Sequence, residues 1–99
     1  MLFNAMRVER SFNSFIELVS QGAQREQENF IGKLRINRRL RKQAADSAYE
    51  LYENAIENGE TVLLVDGERA GIMTFFEWLI ANQDVIFALI QRLISLFGL

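Results

Sequence analysis

The densest group of chemically active side chains is a run of six cations in ten residues, with no acidic residue among them. The six are Lys33, Arg35, Arg38, Arg39, Arg41 and Lys42. On one continuous helix, which turns by about 100° per residue, four of them fall in a sector about 100° wide. The four are Arg35, Arg38, Arg39 and Lys42. Cations that share one face can contact several phosphates together, so this sector is the candidate nucleic-acid site.

Two observations weigh against nucleic acid as the partner of this sector. No aromatic residue is interleaved with the cations to stack on bases. The chain as a whole is acidic, with a net charge of −2. The same sector therefore has other interpretations: a solvated or protein-binding helix face, or a contact with an anionic membrane surface.

The polar side of the same predicted helix continues with the anions Asp46, Glu50, Glu53 and Glu57. Residues 1–42 carry a balance of +5 and residues 43–99 a balance of −7. The helix macrodipole favours the reverse order of charges, so this order is locally unfavourable. Two antiparallel copies would set each basic half against the other's acidic half. Glu50, Glu53 and Glu57 are therefore candidate interface residues, unless other helices of the chain neutralise them.

The residue types disfavour enzymatic chemistry. The chain has no histidine and no cysteine, so the commonest general base, thiolate nucleophiles and sulfur ligands are missing. The pairs Glu50/Glu53 and Glu53/Glu57 could hold a divalent cation, but a solvated face explains them better. We predict no catalytic residue, no cofactor, no metal site and no small-molecule substrate.

Residues 75–97 are apolar around most of a helix circumference, and three hypotheses compete for them. They form a central core helix, an oligomer interface, or a membrane-associated segment. A membrane span is disfavoured because Glu77, Asp84 and Arg92 are spaced through the segment. The candidate interface residues of this segment are Trp78, Phe87, Ile90, Ile94 and Phe97.

The elements that would position these residues are mainly helical. Apolar spacings of three and four predict helices at about 4–23, 28–58 and 74–97. Asn58–Gly59 is a typical helix end, and Thr74 with Glu77 fits a capping box. Between the second and third helices, β-prone residues around Asp66–Gly67 predict a short β-hairpin at about 61–73.

Residues 1–99 are predicted to form one domain. The favoured function is a non-enzymatic structural protein that forms a homo-oligomer or a small subunit of a larger complex, such as a virus particle or a phage-borne system. The alternatives are a nucleic-acid-binding module and a peripheral membrane protein anchored by the last helix. Because the first residues lack the pattern of a secretion signal, the expected location is intracellular or inside a larger particle.

Overall fold

In a computed structural model, the structure describes residues 5–59, 62–63, 71–72 and 74–99. Their secondary structure is dominated by helices, each of which contributes apolar residues to one core. In chain order the helices are α1 (Ala5–Ser20), α2 (Arg25–Ile36), α3 (Arg38–Glu57), α4 (Phe75–Ala81) and α5 (Gln83–Phe97).

The prediction of three helices is wrong, because the described part of the chain contains five. The first predicted helix corresponds to α1, although it ends at Ser20 rather than at residue 23. The predicted helix 28–58 is divided between α2 and α3, and the predicted helix 74–97 between α4 and α5. Each division occurs at an asparagine, Asn37 or Asn82.

The prediction of a β-hairpin at 61–73 is also wrong, since the described part of the chain is helical apart from one very short pairing. That pairing joins β1 (Val62–Leu63) to β2 (Gly71–Ile72), antiparallel, with Val62 opposite Ile72. Two residues on each side are fewer than the roughly five or six of an ordinary strand. The predicted turn at Asp66–Gly67 lies outside the described residues.

Asn37 separates α2 from α3 because its side chain replaces a helical hydrogen bond. Its backbone is extended, and its Oδ1 accepts a hydrogen bond from the Leu40 backbone N–H at 2.9 Å. Asparagine is among the best residues for starting a helix in this way. Carbonyl oxygens in the last turn of α2 find a hydrogen-bond donor on α3. The Arg41 guanidinium donates to the Leu34 and Arg35 carbonyl oxygens at 3.3 Å.

Asn82 ends α4 in a related way. Its side-chain amide donates to the Trp78 carbonyl oxygen at 2.8 Å, and its backbone N–H also contacts that oxygen at 3.0 Å. Helix α5 then leaves at 89° to α4. The bend sends α4 against α1 and α5 against α3 and α2, so the apolar segment covers two sides of the core.

The centre of the core draws on all five helices. Its largest fully buried side chains are Phe12, Phe15, Ile31, Leu34, Leu40, Leu79, Ile86 and Ile90. Helix α3 contributes mostly small residues to this centre, namely the buried Ala44, Ala45, Ala48 and Ala55. Small side chains allow neighbouring helices to approach closely, so α3 packs against α1, α2, α4 and α5.

Two predicted termini agree with the structure. Helix α3 ends at Glu57, and Gly59 follows with a positive φ of 71°, which favours glycine. The Thr74 hydroxyl accepts from the Glu77 backbone N–H at 3.2 Å, and the Glu77 carboxylate accepts from the Thr74 backbone N–H at 3.1 Å. The predicted capping box at the start of α4 is therefore confirmed.

Candidate interaction surface on helix α3

The exposed side of α3 carries two groups of opposite charge, which we call the charged face. Its basic end consists of Arg38, Arg39 and Lys42, and its acidic end of Glu50, Glu53 and Glu57. All six are exposed, and half-buried Asp46 lies between the two ends. At about 1.5 Å per residue, this face is about 28 Å long.

No residue of the charged face has a hydrogen bond or ion pair to another part of the described chain. The described ion pairs involve other residues, since Arg35 pairs with Glu17 and Arg41 with Glu9. Within residues 5–59 and 74–99, helix α1 therefore supplies partners for Arg35 and Arg41 but none for the charged face. Both ends of the face are open to solvent and to partners.

The predicted four-cation sector is not a single surface. The break at Asn37 places Arg35 on α2, where its Nη2 lies 3.0 Å from the Glu17 carboxylate on α1. Arg35 thus already has an anionic partner within the chain. Arg38, Arg39 and Lys42 remain together on α3, so three cations and not four are available to an anionic partner.

Arg41 belongs to the fold rather than to the charged face. Its side chain is half-buried, and its Nε lies 3.9 Å from the Glu9 carboxylate of α1. That Nε is buried and makes no hydrogen bond to the described residues. Through its bonds to the last carbonyls of α2, Arg41 joins α1, α2 and α3 at one point.

Most of the predicted apolar interface residues are core residues of the single chain. Trp78, Phe87, Ile90 and Ile94 are buried, and Phe97 is half-buried. Their burial follows from the bend at Asn82, which lets α4 and α5 cover different sides of the core. An interface made of these side chains would first have to open that core.

The most exposed apolar residues lie elsewhere and are not among the predicted interface residues. Ile36, at the end of α2, is the most exposed of the large apolar side chains that the structure describes, at 86%, and Leu96 follows at 74%. The sequence places Phe30, Leu34 and Leu40 on one apolar stripe of the predicted helix 28–58, and Ile36 lies outside that stripe. An apolar residue off its helix stripe was the signal that could have identified it.

Aromatic rings join α3 to α4 beneath the acidic end of the charged face. The Tyr52 ring lies 5.4 Å from that of Phe75 and 5.7 Å from that of Trp78, measured between centroids. Burial raises the pKa of Tyr49 above its ordinary value, and the nearby negative charge of Glu53 adds to this rise. Burial also raises the pKa of Tyr52. Both rings are therefore neutral packing groups near neutral pH.

An open groove of about 720 Å³ follows α1, with Phe76 of α4 at its edge. Its charged groups include Glu9 and Glu17, whose carboxylates already pair with Arg41 and Arg35. The groove therefore does not offer two free carboxylates for acid–base chemistry. No group of three metal-ligating side chains was found among the described residues.

Within the described ranges, no single helix has the length and apolar character needed to cross a membrane. Helices α4 and α5 meet that requirement only when taken together, and the 89° bend separates them.

Comparisons of the chain with protein-family models, with curated proteins and with solved structures find no match.

Proposed function

We propose that this chain is a non-enzymatic assembly protein that pairs with a second copy of itself through the charged face of α3. The observation that carries the proposal is the order of charge on that face. Arg38, Arg39 and Lys42 at one end and the three glutamates at the other are exposed and make no ion pair to the described residues. Charge patterns of this kind favour one orientation of a partner over others.

An antiparallel pair of α3 helices satisfies both ends at once. When Arg39 is set opposite the second copy's Glu53, Lys42 falls opposite the second copy's Glu50, because both pairs are symmetric about residue 46. Two-fold symmetry repeats each contact, which gives four opposite-charge contacts. At the two-fold axis, Asp46 lies opposite Asp46 of the second copy, and the repulsion between these two carboxylates is the main unfavourable contact of this register. Lys42 lies one turn from Asp46 on each helix.

The local energetics support an intermolecular role for this face. Cations in the first turn of a helix oppose its macrodipole by about 0.3–1 kcal/mol each, and Arg38 and Arg39 occupy that turn of α3. The pairs Asp46–Glu50 and Glu53–Glu57 also repel within the helix, at four-residue spacing. The charge order thus lowers the stability of the isolated helix, and pairing with a complementary copy would offset that loss.

Native mass spectrometry or light scattering at low ionic strength tests the proposal, with charge-exchange variants at one predicted contact. Arg39→Glu or Glu53→Arg alone should weaken association by roughly 0.5–2 kcal/mol, because each creates like-charge contacts. The double variant restores opposite charges and should recover much of the loss. Arg25→Glu is the matched control, since Arg25 is an exposed cation at the start of α2, away from the face.

Either of two results would contradict self-pairing. One is a wild-type chain that stays monomeric at high micromolar concentration and low ionic strength. The other is strict additivity of the two exchanges, repeated when Arg38 is combined with Glu50 or Glu57. Additive effects mean that the two ends of the face do not meet.

A nucleic-acid-binding module is the second candidate, favoured by the same three exposed cations of α3. Their binding to phosphates should weaken with salt, with a slope of about −0.9 in log K per neutralised phosphate. Arg39→Glu should then reduce binding whatever residue stands at position 53. Because Arg35 pairs with Glu17, this candidate surface has three cations instead of the four that the sequence predicted.

A further inference from the structure

A second surface lies at the corner between α2 and α3, which we call the Ile36 corner. Ile36 ends α2 with 86% of its surface exposed, and Asn37 turns the chain into α3. Single exposed apolar residues are common on proteins. Ile36 differs because the corner holds it outward from the body of the fold, with cations on both sides in sequence.

The charged residues that flank Ile36 in sequence, from residue 33 to residue 42, are all positive. Lys33 and Arg35 precede it in the last turn of α2, and Arg38 follows it in the first turn of α3. Of these cations, Arg35 forms an exposed ion pair with Glu17 of α1. Cations at the end of α2 suit its macrodipole, but Arg38 at the start of α3 opposes that of its own helix. Helix stability therefore does not explain Arg38.

A further exposed apolar residue lies next to the corner. The Lys33 ammonium group is 3.4 Å from the Leu99 carbonyl oxygen, so the end of α5 lies beside the last turn of α2. Leu99 is 48% exposed, and Leu96, one turn earlier, is 74% exposed. The corner thus combines outward apolar side chains with the cations Lys33 and Arg38, neither of which forms an ion pair with a described carboxylate side chain.

We propose that the Ile36 corner docks on an anionic lipid surface. Lys33 and Arg38 would attract the anionic headgroups, and Ile36 would insert among the first carbons of the acyl chains. An anionic membrane satisfies both features, whereas nucleic acid uses the cations and leaves an exposed isoleucine without a role. Charge alone gives weak and reversible membrane contact, and burial of the apolar Ile36 side chain adds to the binding free energy.

This surface differs from the hypothesis that residues 75–97 anchor the chain, and it narrows the anionic-membrane interpretation of the basic sector to Lys33, Ile36 and Arg38. Trp78, Phe87, Ile90 and Ile94 of that segment are buried in the core. Docking through the corner leaves the core intact. Arg38 belongs to both surfaces, but Ile36 lies outside the charged face, so the effect of Ile36→Ser on vesicle binding separates the failure of this proposal from the failure of self-pairing.

The test is sedimentation of the full chain with vesicles of equal parts phosphatidylglycerol and phosphatidylcholine, against vesicles of phosphatidylcholine alone. The wild type should partition to the anionic vesicles. Arg38→Gln should weaken that partitioning about 5-fold, since one basic residue near such a surface contributes about that factor. Ile36→Ser should weaken it about 3- to 10-fold through lost apolar burial.

Val85→Ser is the matched control, because Val85 is a half-exposed β-branched residue on α5. It lies 14 residues, or about 21 Å along the helix, from Leu99. This variant should sediment like the wild type, and circular dichroism should show that all three variants keep their helix content.

Three results would overturn the proposal. The first is equal partitioning of the wild type to both kinds of vesicle. The second is an Ile36→Ser variant that binds anionic vesicles as well as the wild type. The third is a wild type that does not bind vesicles but is retained, in a salt-sensitive way, on a DNA or RNA oligonucleotide. If Arg38→Gln abolishes that retention and Ile36→Ser leaves it unchanged, the corner is a nucleic-acid surface.

Discussion

The segments α2–α3 and α4–α5 form an instructive pair, because each was predicted as one helix and each is broken at an asparagine. In α4–α5 the break turns the chain by 89° and brings the apolar side chains of both parts into the core. In α2–α3 the break draws Arg35 and Arg41 into contacts with α1, while Arg38, Arg39 and Lys42 stay exposed. A bend can therefore absorb surplus apolar surface, but it does not neutralise a row of like charges.

The largest expected effect tests the claim that α5 is core. Ile90 is fully buried, so Ile90→Ala should lower the free energy of unfolding by about 2–5 kcal/mol. Val85→Ala, on the exposed side of the same helix, should cost less than about 0.5 kcal/mol. Chemical denaturation of both variants measures the difference.

If α5 were mainly an interface, the outcome would differ. Ile90→Ala would then reduce the association of the chain while leaving the unfolding of the dissociated monomer nearly unchanged. That result would contradict the core position of Ile90.

A medium effect separates two neighbouring cations of α3. Arg41→Ala removes hydrogen bonds to the last carbonyls of α2 and the contact with Glu9, so it should destabilise the fold by about 1–3 kcal/mol. Arg39→Ala should change stability by less than about 0.5 kcal/mol, because Arg39 is exposed without a described partner. Thermal or chemical denaturation checks both, and equal effects would mean that the two arginines have the same role.

The smallest expected effect concerns two capping residues, Thr74 before α4 and Asn37 before α3. Thr74→Ala and Asn37→Ala each remove a side-chain cap and should each cost about 1 kcal/mol at neutral pH. Only the stability lost on Thr74→Ala should depend on pH. The pKa of Glu77 is lowered by hydrogen bonds from the Thr74 hydroxyl and backbone N–H, whereas the cap of Asn37 contains no titrating group.

The sign of that pH dependence follows from the lowered pKa. A carboxyl group whose pKa is lower in the folded state stabilises the fold above its unfolded pKa, and this contribution is lost as the pH falls through the folded value. The difference in stability between wild type and Thr74→Ala should therefore narrow in acid, while the cost of Asn37→Ala stays constant. Denaturation midpoints at neutral and acidic pH measure both, and a constant Thr74→Ala cost would show that Glu77 does not strengthen the cap.

Helical periodicity and capping were readable from the sequence because both are local. Val8, Phe12 and Phe15 recur at spacings of three and four in the predicted helix 4–23, and all three are buried; the capping box predicted the first residue of α4. The prediction of a hairpin at 61–73 was wrong because it relied on β propensity, which depends strongly on tertiary context; the described residues of this segment form only a pairing of two residues on each side. Neither interruption, at Asn37 or at Asn82, was predicted, because an asparagine is also tolerated within a continuous helix.

Some properties of the candidate surface likewise follow from the sequence, and others follow only from the tertiary structure. The sequence by itself determined the order of charge along α3 and the absence of histidine and cysteine, since these depend only on residue type and helical spacing. Only the tertiary structure decided that Arg35 meets Glu17, that Ile90 and Ile94 are core, and that Ile36 is exposed at a corner. Those outcomes depend on where two helices bend. The direction of a bend is set by the packing of residues distant in sequence, which local patterns do not encode.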